Sequence, residues 1–187
     1  MGLFRPNIYK KTIFDINYDL LKEKGIKCLI YDLDNTLGLI SHKNCPEEAV
    51  KLIKRLQKDF IVVISSNNTK KRLKPYLEEL GIEGTSWSMK PSIKSLIYIK
   101  AKYKLHKKEM CMIGDQIVTD ILAGNRFKIK TILVDPLGDK DLKITGLNRK
   151  LESKIIERYE KKGLFKRGKY YGEWKEMFRL WCYSTRV

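Results

Sequence analysis

Two carboxylates spaced i and i+2, Asp32 and Asp34, end the apolar run Lys27-Cys28-Leu29-Ile30-Tyr31 and lead into Asn35-Thr36-Leu37. The run is short and rich in Leu and Ile, as a buried strand would be. Burying a carboxylate costs several kcal/mol unless a cation or hydrogen-bond donor meets it, so Asp-x-Asp at a strand's carboxyl end suggests a metal or a reaction. Side chains two apart point to the same side of a strand, and just past its end the backbone can also turn a carbonyl inward. The pair could therefore share one cation and one substrate.

The arrangement recurs twice. Phe60-Ile61-Val62-Val63-Ile64-Ser65 runs into Ser66-Asn67-Asn68, and Met110-Cys111-Met112-Ile113 runs into Gly114-Asp115, with Asp120 five residues on. In an open parallel α/β sheet, ligands bind in the crevice outside the carboxyl ends of the strands, so the three endings could converge on one site.

Taken in order, DLDNTL, an apolar strand ending in Ser-Asn, Lys90-Pro91 and GDQxxTD resemble the four motifs of the haloacid-dehalogenase-like (HAD) phosphohydrolases, over roughly residues 26–136. The flanks, FDINYDLLKEK before GIKCLIYDLDNTL and TGLNRKLE after the last strand, resemble more narrowly the subfamily IIIA phosphatases of the YqeG type, related to the mitochondrial phosphatidylglycerophosphate phosphatase. This resemblance implies a magnesium-dependent phosphomonoester hydrolase with Asp32 as the nucleophile that forms an aspartyl-phosphate. Asp34 would protonate the leaving alkoxide and then activate water. The cation would be held by Asp32, the backbone carbonyl of Asp34 and Asp115, hard oxygen ligands of the kind Mg²⁺ prefers. Ser66 and the backbone amide of Asn67 would bind the phosphoryl oxygens, and Lys90 would place fixed positive charge against them. Thr36 would support the turn after the first motif, and Asp120 would orient the surroundings of Asp115 or pair with Lys90. Each motif also has an ordinary reading as a turn or helix cap; the case rests on all four together.

HAD enzymes of small metabolites usually carry an inserted cap domain. Here one short loop and one helix separate Asp34 from the next strand, and 23 residues separate Ser66 from Lys90, which leaves no room for a cap. An open site favours a bulky substrate or one held in a surface: a phospholipid head group, a nucleic-acid end or a phosphoprotein.

The 187 residues suffice for one α/β domain with a substantial core. Lys+Arg outnumber Asp+Glu by 39 to 22, a formal charge of +17. That charge favours polyanions, whether an acidic membrane surface or nucleic acid, or it is simply a solvated lysine-rich surface. Cys28, Cys45, Cys111 and Cys182 form no C-x-x-C pair and read as reduced packing residues of a cytoplasmic protein. No apolar run approaches the roughly 20 residues that span a bilayer, and the first residues lack a secretory h-region, so membrane contact would be peripheral, on the inner face. The resemblance implies phosphatidylglycerophosphate as the preferred substrate, and the basic surface would agree with such an anionic lipid. The alternatives are a nucleotide or nucleic-acid-end phosphate, or a non-catalytic basic protein that binds RNA or ribosomes on a vestigial HAD fold.

To position such a site the chain needs a Rossmann-like, doubly wound parallel α/β sheet without a cap domain, and its pattern supplies one. Thr12 and Asp15 should open a helix with apolar residues Ile13, Ile16, Leu20 and Leu21, ended by Gly25. Strands at about 27–32, 60–65, 109–113 and 131–134 should alternate with helices from Pro46 (with Val50, Ile53 and Leu56 inward), over 69–80, from Pro91 (carrying Ile93, Leu96, Ile97 and Ala101) and over 118–125. A short extended piece is expected around Ser86-Trp87-Ser88, and a loop from Asp135 to about Gly146. Residues 147–187 read as an extension of the 1–146 core made of two amphipathic helices. One carries Leu147, Leu151, Ile155 and Tyr159, the other Tyr171, Trp174, Phe178 and Trp181. These helices would cover a sheet edge or a partner, or lie on an anionic membrane.

Overall fold

A computed structural model describes residues 2–138 and 143–172. Six parallel strands form a single sheet: β1 (Ile8–Lys10), β2 (Cys28–Tyr31), β3 (Ile61–Ser65), β4 (Glu83–Thr85), β5 (Met110–Gly114) and β6 (Lys130–Val134). Their order is β1-β6-β5-β2-β3-β4. The helices are α1 (Tyr18–Glu23), α2 (Glu47–Leu56), α3 (Lys70–Leu80), α4 (Lys94–Lys102), α5 (Leu122–Phe127) and α6 (Lys143–Lys161).

Strand periodicity divides the core. Leu29 and Tyr31 of β2, with Cys111 and Ile113 of β5, join the cluster that α1, α2 and α3 cover through Leu21, Ile53, Leu56 and Leu73. Cys28 and Ile30, with Met110 and Met112, face the other way, onto Leu96 and Ile99 of α4 and Phe127 of α5. Helices on both faces make the sheet doubly wound, and each fully buried Leu or Ile contributes about 1.5–3 kcal/mol.

The chain moves outward from β2 to β3 and β4, then crosses back through α4 to β5 on the other side of β2. Connections thus diverge between β2 and β5, whose residues Tyr31 and Ile113 lie side by side. That divergence opens a crevice at the carboxyl ends of these two strands.

Several elements differ from the sequence expectations. Thr12 and Asp15 do form a capping box, but it closes a short 3-10 turn, Ile13–Asp15. Helix α1 starts later because Asn17 caps it through Leu20 N. The extended piece expected around Trp87 lies earlier, as β4, and β1 has no counterpart among the expected strands. Helix α4 begins at Lys94 instead of Pro91, and Ile97 is 49 % exposed while Leu96 and Ile99 turn inward. Residues 117–121 form a π-helical turn ahead of α5.

Helix α6 starts at Lys143, within the expected loop. Its expected Leu151 is exposed, whereas Ile155, Ile156 and Tyr159 pack toward Tyr9, Ile117 and Ile121. Glu152 Oε1 accepts from Ile117 N at 3.0 Å and from Arg167 Nη2 at 3.1 Å, which ties α6 to the π-helical turn. Tyr171 pairs antiparallel with Tyr9 and so lies in extended chain instead of opening a helix. Trp174, Phe178, Trp181 and Cys182 lie outside the described residues. Among the described residues no helix is long and apolar enough to cross a membrane.

Candidate active site

The crevice brings Asp32, Asp115 and Asp120 together, with Lys90 against them. Asp32 follows β2, its backbone N–H still bonded to Ile113 O at 2.8 Å, and Asp115 follows β5. Asp120 enters from the π-helical turn, a local geometry frequent at functional sites. Oxygens of Asp32, Asp115 and Asp120 all lie within 4.8 Å of one another, and all three residues are buried. Gly114 makes this approach possible, because a Cβ there would lie 2.3 Å from Asp120 Cγ.

Lys90 reaches the cluster from the loop between β4 and α4. Its Nζ lies 2.5 Å from Asp32 Oδ1 and 2.7 Å from Asp120 Oδ1. Asn67 braces it: Asn67 Oδ1 accepts from Lys90 N at 2.7 Å, and Asn67 Nδ2 donates to Lys90 O at 3.1 Å. Burial alone would favour the neutral amine, but the charges of Asp120 and Asp32 hold the ammonium above its ordinary range. For Asp32 burial wins: it pushes the carboxyl up to about 7, with Asp120 adding to the rise and Lys90 opposing it.

Asp34 is set apart from that cluster. Arg72, from the first turn of α3, grips its Oδ1 through Nε at 3.1 Å and Nη2 at 2.9 Å, and Asn68 Nδ2 donates to its Oδ2 at 3.1 Å. The same guanidinium donates to Leu39 O at 3.0 Å and to His42 O, and lies over the Tyr76 ring at 4.9 Å. Neither Arg72 nor Asn68 was assigned a role from sequence. The signal for Arg72 was an α3 first turn of Lys70, Lys71 and Arg72 with no acidic residue, where helices ordinarily favour acids.

The supporting residues also converge. Ser66 is buried, with its Oγ accepting from Asn68 N at 3.1 Å. Thr36 Oγ1 lies 3.4 Å from Asp115 Oδ1, a weak contact at most, and Asn35 turns the chain at φ 62° while its N–H bonds Gly38 O. Only α2 lies between β2 and β3, and only α3 and β4 between β3 and α4, so no cap domain is inserted over these strand ends. A cavity of about 300 Å³ lies elsewhere, along the β4 edge between Leu77, Tyr98 and Tyr103.

On the rim, Trp87 and Met89 are 65 % and 69 % exposed, both at φ 51°. For side chains of this size a left-handed backbone costs on the order of 1 kcal/mol each. Two backbone hydrogen bonds hold it in place: buried Ser88 donates from N to Ser66 O at 3.0 Å, and Trp87 N donates to Asn68 O at 3.0 Å.

Similarity to known proteins agrees with this arrangement. A haloacid dehalogenase-like hydrolase model matches residues 29–92, and a HAD-hydrolase-like model matches residues 88–138. "Probable phosphatase YqeG" of Bacillus subtilis is 37% identical over 161 residues, 86% of this chain and 94% of that protein. "Phosphatidylglycerophosphate phosphatase 1, chloroplastic/mitochondrial" of Arabidopsis thaliana is 27% identical over 85% of this chain but only 49% of its own length. The magnesium complex of a HAD family enzyme from Bacteroides thetaiotaomicron shares the fold, with a TM-score of 0.50 at 14% identity over 65% of this chain and 99% of that one. With its four motifs meeting at one end of the sheet and a phosphatase relative matched over nearly its whole length, the chain belongs to the haloacid-dehalogenase-like hydrolases, as a phosphatase of the YqeG type.

Proposed function

We propose that the chain is a magnesium-dependent phosphomonoesterase that works through an aspartyl-phosphate at Asp32 and acts on phosphatidylglycerophosphate. The observation that carries the proposal is the buried cluster of Asp32, Asp115 and Asp120, in which Asp32 and Asp120 share the single ammonium of Lys90. The oxygen donors of this cluster suit a hard divalent cation, so these residues fit magnesium. Asp32, the backbone carbonyl of Asp34 and Asp115 would hold the ion. Bound there, magnesium supplies the positive charge that keeps Asp32 ionised and offsets the dianionic phosphate.

In the first step a carboxylate oxygen of Asp32 attacks phosphorus, the bond from phosphorus to the ester oxygen breaks, and Asp34 gives that oxygen its proton. In the second, Asp34 takes a proton from water as the water attacks phosphorus. Inorganic phosphate leaves and Asp32 is regenerated. Lys90 stabilises the charge on the transferring group. Ser66 Oγ accepts from Asn68 N, which keeps its own hydrogen available for a phosphoryl oxygen, beside the backbone amide of Asn67.

The lipid is favoured by the Arabidopsis relative's printed name, by the +17 charge and by an uncapped site. The reading takes residues 147–187 as an extension of the 1–146 core, supported by the packing of Ile155, Ile156 and Tyr159. Phosphate release from an aryl phosphate should require Mg²⁺ and stop in EDTA. Phosphatidylglycerophosphate in mixed micelles should exceed mononucleotides in kcat/KM by at least about tenfold. Equal rates on the two would remove the lipid and keep the phosphatase. No Mg²⁺-dependent release from any ester would remove the mechanism.

Arg72 offers a second test, since it fixes the Asp34 carboxylate that handles the proton. Arg72→Ala should lower kcat by about 10–100-fold on an alkyl phosphate, whose poor leaving group needs that proton. On an aryl phosphate with an acidic phenol, which leaves without help, the loss should be much smaller. Equal losses on both would reduce Arg72 to a structural brace.

A further inference from the structure

We infer that Trp87 and Met89 form an apolar prong that seats the uncapped site on an anionic bilayer. The inference rests on the proposed lipid substrate and names the surface on which that substrate is met.

Trp87 and Met89 are the outward members of a segment whose inward members serve the site. Ser88 is buried among Ser65, Thr85 and Ser66, and Lys90 reaches Asp32 and Asp120. Any residue could occupy the outward positions as far as that inner work is concerned. Small or polar residues such as Gly or Asn tolerate a left-handed backbone far better than Trp or Met. The chain instead holds two large apolar side chains in this conformation, two residues apart and mostly in solvent. Such a pair needs a partner that rewards apolar area.

The charges around the prong say what the partner is. Exposed Lys70 and Lys71 open α3, exposed Lys94 opens α4, and exposed Lys43 follows His42 in the loop that Arg72 holds. Neither α3 nor α4 has an acidic residue in its first turn. Acidic residues do open two other helices at this face, Glu47 and Glu48 at α2 and Asp19, preceded by Asp15, at α1. These lysines share the carboxyl-end face of the sheet with Asp32. Lysines around an exposed Trp and a neighbouring apolar side chain match the interface of an anionic membrane, where Trp sits at head-group level and the cations meet lipid phosphates. Nucleic acid is less well matched. Stacking would use Trp87, but Met89 has no planar face and no hydrogen bond to offer a base.

The geometry also suits the chemistry. A lipid phosphate cannot travel to a deep pocket without leaving its bilayer, whereas a prong adjoining Lys90 brings the reacting groups to the head group.

The test uses the full chain with Trp174→Phe and Trp181→Phe, so that Trp87 is the sole tryptophan. On vesicles of equal phosphatidylglycerol and phosphatidylcholine, with bromine on the acyl chains, Trp87 emission should shift to the blue and fall by roughly half. Added salt should weaken the effect. The double variant Trp87→Asn/Met89→Asn puts residues there that accept the left-handed backbone. It should sediment with the same vesicles at least about tenfold less well. Its hydrolysis of a soluble aryl phosphate should stay within about twofold of wild type, which also shows that it is folded.

Unquenched Trp87, or unchanged sedimentation of the double variant, overturns the inference while leaving the phosphatase reading intact. Quenching by a single-stranded oligonucleotide without quenching by bromolipid also overturns it, in favour of a nucleic-acid surface. If instead Trp87 is quenched by bromolipid but the wild-type chain hydrolyses no ester, the prong stands and the proposed reaction falls.

Discussion

Asp32→Asn is expected to release phosphate at least on the order of 10⁴-fold more slowly than wild type with any ester, because the amide is no nucleophile toward phosphorus. The loss should appear in kcat and should not be recovered by more Mg²⁺ or more substrate. The same variant should unfold at the same temperature as wild type or higher. Asp32 is buried beside Asp120, and its carboxyl already sits well above the usual carboxylate range. Replacing it with a neutral group of similar shape removes a like-charge neighbour while Lys90 keeps Asp120 as its partner at 2.7 Å. Activity lost with stability kept is the pattern expected of a reacting group. A fall in both would mark Asp32 as a structural residue.

Lys90→Met is expected to show the opposite pattern in stability. Lys90 is 6 % exposed, and methionine fills much the same volume with an apolar chain. Removing the ammonium leaves Asp32 and Asp120 facing each other beside Asp115 without the charge that holds them together. Breaking a buried pair by deleting one partner costs about 3–5 kcal/mol. In a chain of this size that amounts to a drop of roughly 6–15 °C in Tm. Loss of a fixed charge aimed at the transferring group should in addition lower kcat by about 10²–10³-fold. Thermal unfolding in EDTA, with and without the substitution, isolates the stability effect from any contribution of bound metal. An unchanged Tm would mean that the carboxylates are compensated from another source.

How much of this was legible in the sequence depends on how local the cause is. Asp32, Ser66 and Asp115 stand out because polar groups end apolar strands at a cost, Lys90 and Asp120 only through the resemblance carried by the ordered motifs, and the structure sets Lys90 and the three carboxylates together. The four central strands were readable because they are buried on both faces. Strands β1 and β4 were not, since three residues at a sheet edge carry too little pattern. The Thr12–Asp15 capping box was read correctly as a start signal but assigned to the wrong turn, because Asn17 supplies a second cap five residues later. Helical spacing showed that Ile97 and Leu151 belong to apolar stripes. Only the packing of α4 and α6 shows that Ile99 and Ile156 face inward in their place, while the expected Ile155 and Tyr159 do pack. Arg72 was hidden among the lysines of a basic helix, and its role depends on a carboxylate 38 positions away.

Asn67 is a related case. Its place beside Ser66 suggested a backbone amide aimed at phosphate, and the structure adds a second duty for its side chain, which clasps both backbone groups of Lys90. That clasp is long-range and leaves no trace in spacing. It explains how a lysine on a loop stays fixed against two carboxylates, and it links the second and third motifs mechanically.

The most direct measurement is the covalent state of Asp32 during turnover. Wild-type chain is mixed with Mg²⁺ and an aryl phosphate, quenched in acid, treated with borohydride and digested, and the peptide carrying residues 28–43 is weighed by mass spectrometry. A phosphorylated aspartate is reduced to homoserine, and the mark is expected at Asp32 alone, only with Mg²⁺ present. Phosphate release that proceeds with no mark at Asp32, or with the mark on a different residue, would contradict the account.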